Sequence, residues 1–236
     1  MRTLLIAHRG AQTVVPENTL VAFELAIGKG FRAVECDVQL TKDGYLVVIH
    51  DETVERTTSG HGWVSHKTLT TLQAMTSDSG QIPTLSEVVN LVVVRHHKTL
   101  IIEIKADTEI HSDQVGRALA RFLKSVPVKY HRYIEVHSFW YKALGDFRKL
   151  APAGIKTAVI INGGFDDEEI IKTAQAVGAN GVNVGYEFLS KRQVRSCHKA
   201  GLFIDCWAVS DKTVMRRLRP FGLDGIIENF TGRTLR

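Results

Sequence analysis

Glu35 and Asp37 stand two residues apart in an otherwise apolar run, residues 33–40. Strand alternation would send both carboxylates to one side and Cys36 to the other, so the acids form a pair. Glu103 and Lys105 repeat the arrangement in residues 99–105, where apolar side chains come first and the charges fall at the carboxyl end. Buried carboxylates are costly unless they are paired or bind a metal. For each pair the alternative is a salt bridge capping a barrel. Three carboxylates with no cysteine among them suit a hard, oxygen-preferring ion. The expected cofactor is therefore one divalent cation, Mg2+ or Ca2+, held by Glu35, Asp37 and Glu103. Such an ion would polarise a phosphoryl oxygen and neutralise the charge that builds up during attack on phosphorus.

His8 and His50 close two further apolar runs, and each is followed at once by a charged residue, Arg9 or Asp51. Taken singly, a histidine is more often a surface or core residue. Beside the carboxylates, the two read as an acid/base pair, one taking a proton from the nucleophile and the other giving one to the leaving alkoxide. Arg9 offers a planar fork for bidentate phosphate binding, with an ion pair at a barrel mouth as its alternative. Asn18 stands where a helix cap or a ligand contact could be needed. Glu17 could orient Arg9 or a histidine, or simply be an exposed acid. Trp207 could wall the pocket for an alcohol group or pack in the core. His137 is a further candidate for the mouth, whereas His61, His66, His96 and His97 read as solvated.

These residues must be positioned by short strands. Apolar, β-branched runs recur at 3–7, 33–40, 46–50, 99–105, 132–136, 155–161, 180–184, 202–209 and 224–229. Helical spacing of apolar residues separates many of them, at 19–30, 85–97, 114–125, 167–178 and 211–222. Strand followed by helix, many times over, means parallel β/α architecture. With 46–50 counted together with the run before it, about eight units of roughly 30 residues match a closed barrel. The fold class expected is α/β, a single (β/α)8 TIM-type barrel occupying residues 1–236. Residues 51–83 would be a loop or small insertion after the second strand, on the catalytic face. Gly30, Gly178, Gly201 and Gly222 fall where left-handed helix caps are wanted. Only TGRTLR remains after the last strand, so the final helix is expected to be truncated.

With 44% hydrophobic and 23% charged residues in 236, the composition is globular and excludes disordered and fibrous classes. A net charge of +5 would help draw in an anionic substrate, and nothing beyond it points to nucleic acid. Three cysteines without a CxxC pair argue against a disulfide framework. The apolar stretch before His8 is too short for a signal-peptide core, and no run approaches membrane-spanning length. The expected location is the cytoplasm, without stable membrane insertion. Oligomeric state is not legible.

The ordered set of motifs resembles the glycerophosphodiester phosphodiesterases: HRG at 8–10, PENT at 16–19, E-x-D at 35–37, DGxxVVxHD at 43–51, RTTxGxG at 56–62, IPTLSEV at 82–88, ExK at 103–105, SF at 138–139, Trp207 and DGII at 224–227. The resemblance implies a TIM-type barrel that hydrolyses small glycerophosphodiesters to glycerol 3-phosphate and an alcohol. It implies acid/base roles for His8 and His50, metal ligation by Glu35, Asp37 and Glu103, and phosphate contacts from Arg9 and Lys105. It further implies that the substrate's own glycerol hydroxyl could attack first, a route that sequence does not separate from direct attack by water. The chain departs from the common pattern at Glu228, Asn229 and Phe230 and at Ala208, Val209 and Ser210, which leaves the released alcohol open. The alternatives are a phosphodiesterase acting on lysophospholipids and a noncatalytic phosphate-binding barrel.

Overall fold

The computed structural model describes residues 3–75 and 80–229. Eight parallel strands close into a barrel: β1 (Leu4–Ala7), β2 (Ala33–Leu40), β4 (Thr99–Ile104), β5 (Ile134–Ser138), β6 (Lys156–Ile161), β7 (Gly181–Gly185), β8 (Phe203–Val209) and β9 (Gly225–Glu228). Closure is made by β1, which pairs in parallel with β2 on one side and β9 on the other. The remaining strand, β3 (Leu46–Val48), runs antiparallel to β2, with Val38 opposite Val48. The run at 46–50 is thus a hairpin return rather than a barrel stave.

Between the strands lie α1 (Leu20–Gly28), α2 (Leu69–Ala74), α3 (Leu85–Val89), α4 (Glu109–Ser125), α5 (Tyr141–Leu150), α6 (Asp167–Ala176), α7 (Lys191–Lys199) and α8 (Lys212–Leu218). Except in α5, their starts are fixed by side chains that accept the free amide hydrogens of the first turn, among them Thr19, Thr108 and Asp211. Thr84 with Glu87, Asp166 with Glu169 and Ser190 with Gln193 form reciprocal capping boxes. The helix begun by α3 continues as a wider π turn, Asn90–Arg95, through a run of β-branched valines. All four glycines expected to end helices adopt left-handed backbone.

The main core lies between the strands' outer faces and the helices, around Phe23, Leu100, Leu119 and Phe147. A satellite core of Val47, Ile49, Val54, Val64, Leu72 and Ile82 organises the insertion after β2 and β3. That insertion is a small packed unit with its own helix. The truncated closing helix expected after β9 falls on residues 231–236, outside the described residues.

Candidate active site

The carboxyl ends of the barrel strands gather the predicted groups. Alternation along β2 turns Glu35 and Asp37 inward, 2% and 0% exposed, with Cys36 on the opposite face in the outer core. Asp37 is in register with Glu103 on β4. The three acids each present an oxygen within 4.8 Å of the others. Glu35 Oε1 and Asp37 Oδ1 are buried and have no hydrogen-bond partner. Oxygens left bare at the centre of a buried acidic triad are what a divalent cation would satisfy, so the donor set fits the expected group.

Positive charge surrounds the triad. Lys105 Nζ donates to Glu103 Oε1 at 2.8 Å and stands 3.8 Å from Asp37. Arg9 Nε lies 3.2 Å from Asp37 Oδ2, and the Arg9 backbone N–H donates to Glu35 Oε2 at 3.0 Å. The turn after β1 achieves this by placing Arg9 at φ 53° and Gly10 at φ 78°. Gly10 is obligatory there: an added Cβ would stand 2.7 Å from the Ala22 carbonyl carbon. Asn18 is not the helix cap, a role taken by Thr19. Its Nδ2 instead donates to Asp37 Oδ2 at 2.8 Å.

The two histidines arrive by different routes. His8 follows β1 directly, and its Nδ1 stands 2.7 Å from Asn229 Oδ1 and 2.8 Å from Gln12 Nε2. His50 reaches the mouth because β3 folds back along β2, where the Ile49 N–H donates to the Asp37 carbonyl. Gln39 holds that return in place by donating to the His50 carbonyl at 3.1 Å. His50 Nδ1 donates to Asp51 Oδ1 at 2.7 Å. The carboxylate acceptor on His50 Nδ1 fixes that ring's tautomer and keeps its Nε2 bare, whereas His8 Nδ1 meets both an amide oxygen and an amide NH2 and directs Nε2 to within 3.9 Å of Glu35 Oε2. Arg56 secures the second pair by donating to both Asp51 oxygens and to both Glu17 oxygens, and Glu17 accepts from Arg9 in turn.

Burial dominates the electrostatics. It draws His8 down to about 4, helped by the Arg9 charge, and lowers His50 as well. Burial lifts Glu35 well above the carboxylate range, with repulsion from Asp37 and Glu103 adding to it. Burial also raises Asp37, but Arg9 and Lys105 outweigh it and leave Asp37 below its ordinary value. Glu103 is brought up to about 7 by burial against the pull of Lys105. Such a site favours an added positive charge.

Beside Glu103, Lys105 and His50 opens a cleft of about 380 Å³, lined also by Asp51, Phe139 and Trp140. Phe139 stands 5.9 Å from Lys105 Nζ and meets Trp207 edge-on at 5.4 Å. Trp207 thus packs behind Phe139, which lines the cleft, and its buried indole N–H has no partner. All eight predicted site residues fall in this one region. His137 lies in register with Glu103. It is 1% exposed inside the barrel.

Asp51, Arg56, Asn229, Gln39 and Gln12 were not singled out from sequence as parts of the site. Gln12 donates to the same Asn229 oxygen that holds His8. The available signals were the HD and RTT motifs and the departure from pattern at Asn229.

Residues 8–233 match the model of the glycerophosphoryl diester phosphodiesterase family. The glycerophosphodiester phosphodiesterase of Caldanaerobacter subterraneus is 36% identical over 237 residues, covering 96% of this chain and 94% of the relative. The Bacillus subtilis protein YhdW is 37% identical over 240 residues, with 96% and 94% covered. Among solved structures, an Oleispira antarctica phosphodiesterase in complex with the product sn-glycerol-3-phosphate superposes with a TM-score of 0.87 at 27% identity, covering 97% of this chain and 94% of that one. The Thermotoga maritima glycerophosphodiester phosphodiesterase gives 0.78 at 27% identity, with 98% and 96% covered.

Proposed function

This chain belongs to the glycerophosphoryl diester phosphodiesterase family, and from that premise we propose that it hydrolyses glycerophosphodiesters by two-histidine acid/base catalysis at a divalent-metal centre. The observation that supports this reading is the convergence of two imidazoles on a triad of buried carboxylates, two of whose oxygens lack partners.

Glu35, Asp37 and Glu103 would hold the cation, Mg2+ or Ca2+, which when bound supplies charge stabilisation at the phosphoryl oxygens. Arg9 and Lys105 flank the triad and would bind the phosphate, Arg9 through its fork and Lys105 as a point charge. His8 and His50 divide the proton transfers to and from the attacking and departing oxygens. The Asp51–Arg56–Glu17 chain and the Asn229 amide keep each ring aimed. The cleft beside Phe139 and Trp207 would take the released alcohol. Glycerol 3-phosphate as product agrees with the sn-glycerol-3-phosphate bound in the Oleispira protein.

We take residues 1–236 as one catalytic unit. No helix among the described residues is long and apolar enough to cross a membrane. The three buried, unpaired cysteines support a reducing compartment and hence the cytoplasm.

The test is glycerol phosphate release by His8→Ala and His50→Ala, with folding checked by circular dichroism. Each variant should lose about 10²- to 10⁴-fold in kcat. Full activity in a folded variant would remove that histidine from the mechanism.

A further inference from the structure

Barrel interiors of this type are ordinarily filled by apolar layers, and part of this one is: Ile6, Ala33, Ile101 and Ile227 pack together. The opposite side is polar. Glu135 and His137 point inward from β5 and meet Asp205 from β8, two strands that are separated by β6 and β7. His137 is in register with Glu103, so this second cluster begins next to the acidic triad. Glu135, paired with Ile101, carries it toward the amino-terminal end of the barrel.

We propose that Glu135, His137 and Asp205 form a second metal site, one for a divalent transition ion of the Zn2+ class, tying β5 to β8 across the barrel. Their ligand atoms lie within 4.8 Å of one another. His137, 1% exposed, directs Nε2 to within 3.7 Å of Glu135 Oε2, and that nitrogen has no hydrogen-bond partner. The Asn183 side chain, 2% exposed, leaves Oδ1 unpartnered while its Nδ2 stands 3.4 Å from His137 Nδ1. A half-turn of that amide would set its oxygen, rather than its NH2, against His137 Nδ1. It brings Oδ1 to accept from Nδ1–H, which leaves the Nε2 lone pair free for a cation, the arrangement that commonly orients metal-bound histidines.

Charge balance points the same way. Lys156 Nζ lies 3.6 Å from Glu135, yet its side chain is 59% exposed at the barrel's lower rim, and no cation pairs with Asp205 among the described residues. Space has been kept for the Asp205 carboxylate: a Cβ on Gly225 would stand 2.5 Å from its Oδ1. An imidazole in the ligand set selects a borderline ion, whereas the all-carboxylate triad above suits a hard one, so the two centres should sort different metals.

The test uses crystals of the full chain soaked in Zn2+ with Mg2+ in excess, and an anomalous difference map at the zinc edge. A peak among Glu135, His137 and Asp205 is expected. A map without one there overturns the proposal, and this arm needs no variant. In solution, metal content after gel filtration should show one zinc per chain in the wild type and in Glu103→Gln. It should show no zinc in Asp205→Asn or His137→Gln. Zinc kept by Asp205→Asn but lost by Glu103→Gln would place the ion in the upper triad and refute the second site.

Discussion

Replacing Asp51 by Asn tests whether His50 works because of the carboxylate behind it. The His50 Nδ1–Asp51 Oδ1 bond is 2.7 Å long, and Arg56 donates to both Asp51 oxygens, at 2.9 and 2.5 Å. Each oxygen therefore faces a donor. An asparagine must set its NH2 group either against Arg56 Nε or against both the imidazole and Arg56 Nη2, and at least one contact becomes repulsive. A hydrogen bond to a charged group contributes about 1.5–3 kcal/mol. The Asp51 side chain is 30% exposed, so solvent screening makes the lower part of that range the better guide. At about 1.4 kcal/mol per factor of ten, kcat should fall roughly 10- to 50-fold, with KM changing less than about threefold because the phosphate contacts stay in place. The assay is steady-state release of glycerol phosphate across pH with saturating metal. Asp51 raises the proton affinity of His50, against the lowering by burial, so its loss should move the His50 limb of the profile to lower pH. An Asp51→Asn enzyme with wild-type kcat and an unmoved limb would refute the reasoning.

Arg56→Ala frees both Asp51 and Glu17, and should lower kcat by about 3- to 10-fold. Partial recovery in Arg56→Lys would identify the charge, and complete recovery would rule out a need for the fork. Chelation should abolish turnover and Mg2+ or Ca2+ should restore it, while Glu35→Gln and Glu103→Gln should need far more metal; activity persisting in exhaustively chelated enzyme would remove the cation from the reaction. Metal should also raise Tm in the wild type and not in Glu35→Gln, as scanning calorimetry would show, because the bare carboxylates repel each other without it. Gly10→Ala combines a positive φ with a 2.7 Å clash, for a loss of about 2–4 kcal/mol in urea unfolding. A loss under about 0.5 kcal/mol would mean that the turn yields easily.

The acidic triad was legible in sequence because strand alternation is a local rule: Glu35, Asp37 and Glu103 declare their face within their own strands. The same holds for His8, which simply ends β1. His50 was legible as a residue but not as a geometry, since the direction of β3 depends on the turn around Gly44 rather than on the apolar run. The groups that aim the histidines were hidden for another reason. Asn229 is 221 residues from His8, and only barrel closure makes them neighbours. Helix α7 escaped notice because its buried face is thin. In α7 only Val194 and Cys197 are apolar and buried, beside Gln193. Nothing periodic announced the polar barrel interior, where Asp205 and Glu135 sit in strands that otherwise read as apolar.

Closure of the barrel by β1 against β9 also governs when the enzyme can first work. His8 is made 221 residues ahead of Asn229, the residue beside its Nδ1, which follows β9. A growing chain therefore holds its acidic triad, Arg9 and both histidines long before it can aim His8. A ribosome-bound fragment that stops before β9 should bind the cation weakly and turn over nothing, whatever its helical content. Ordering contacts so distant in sequence is slow relative to local helix formation. Activity should consequently appear in a single late step during refolding, together with protection of the β1 and β9 amides from hydrogen exchange.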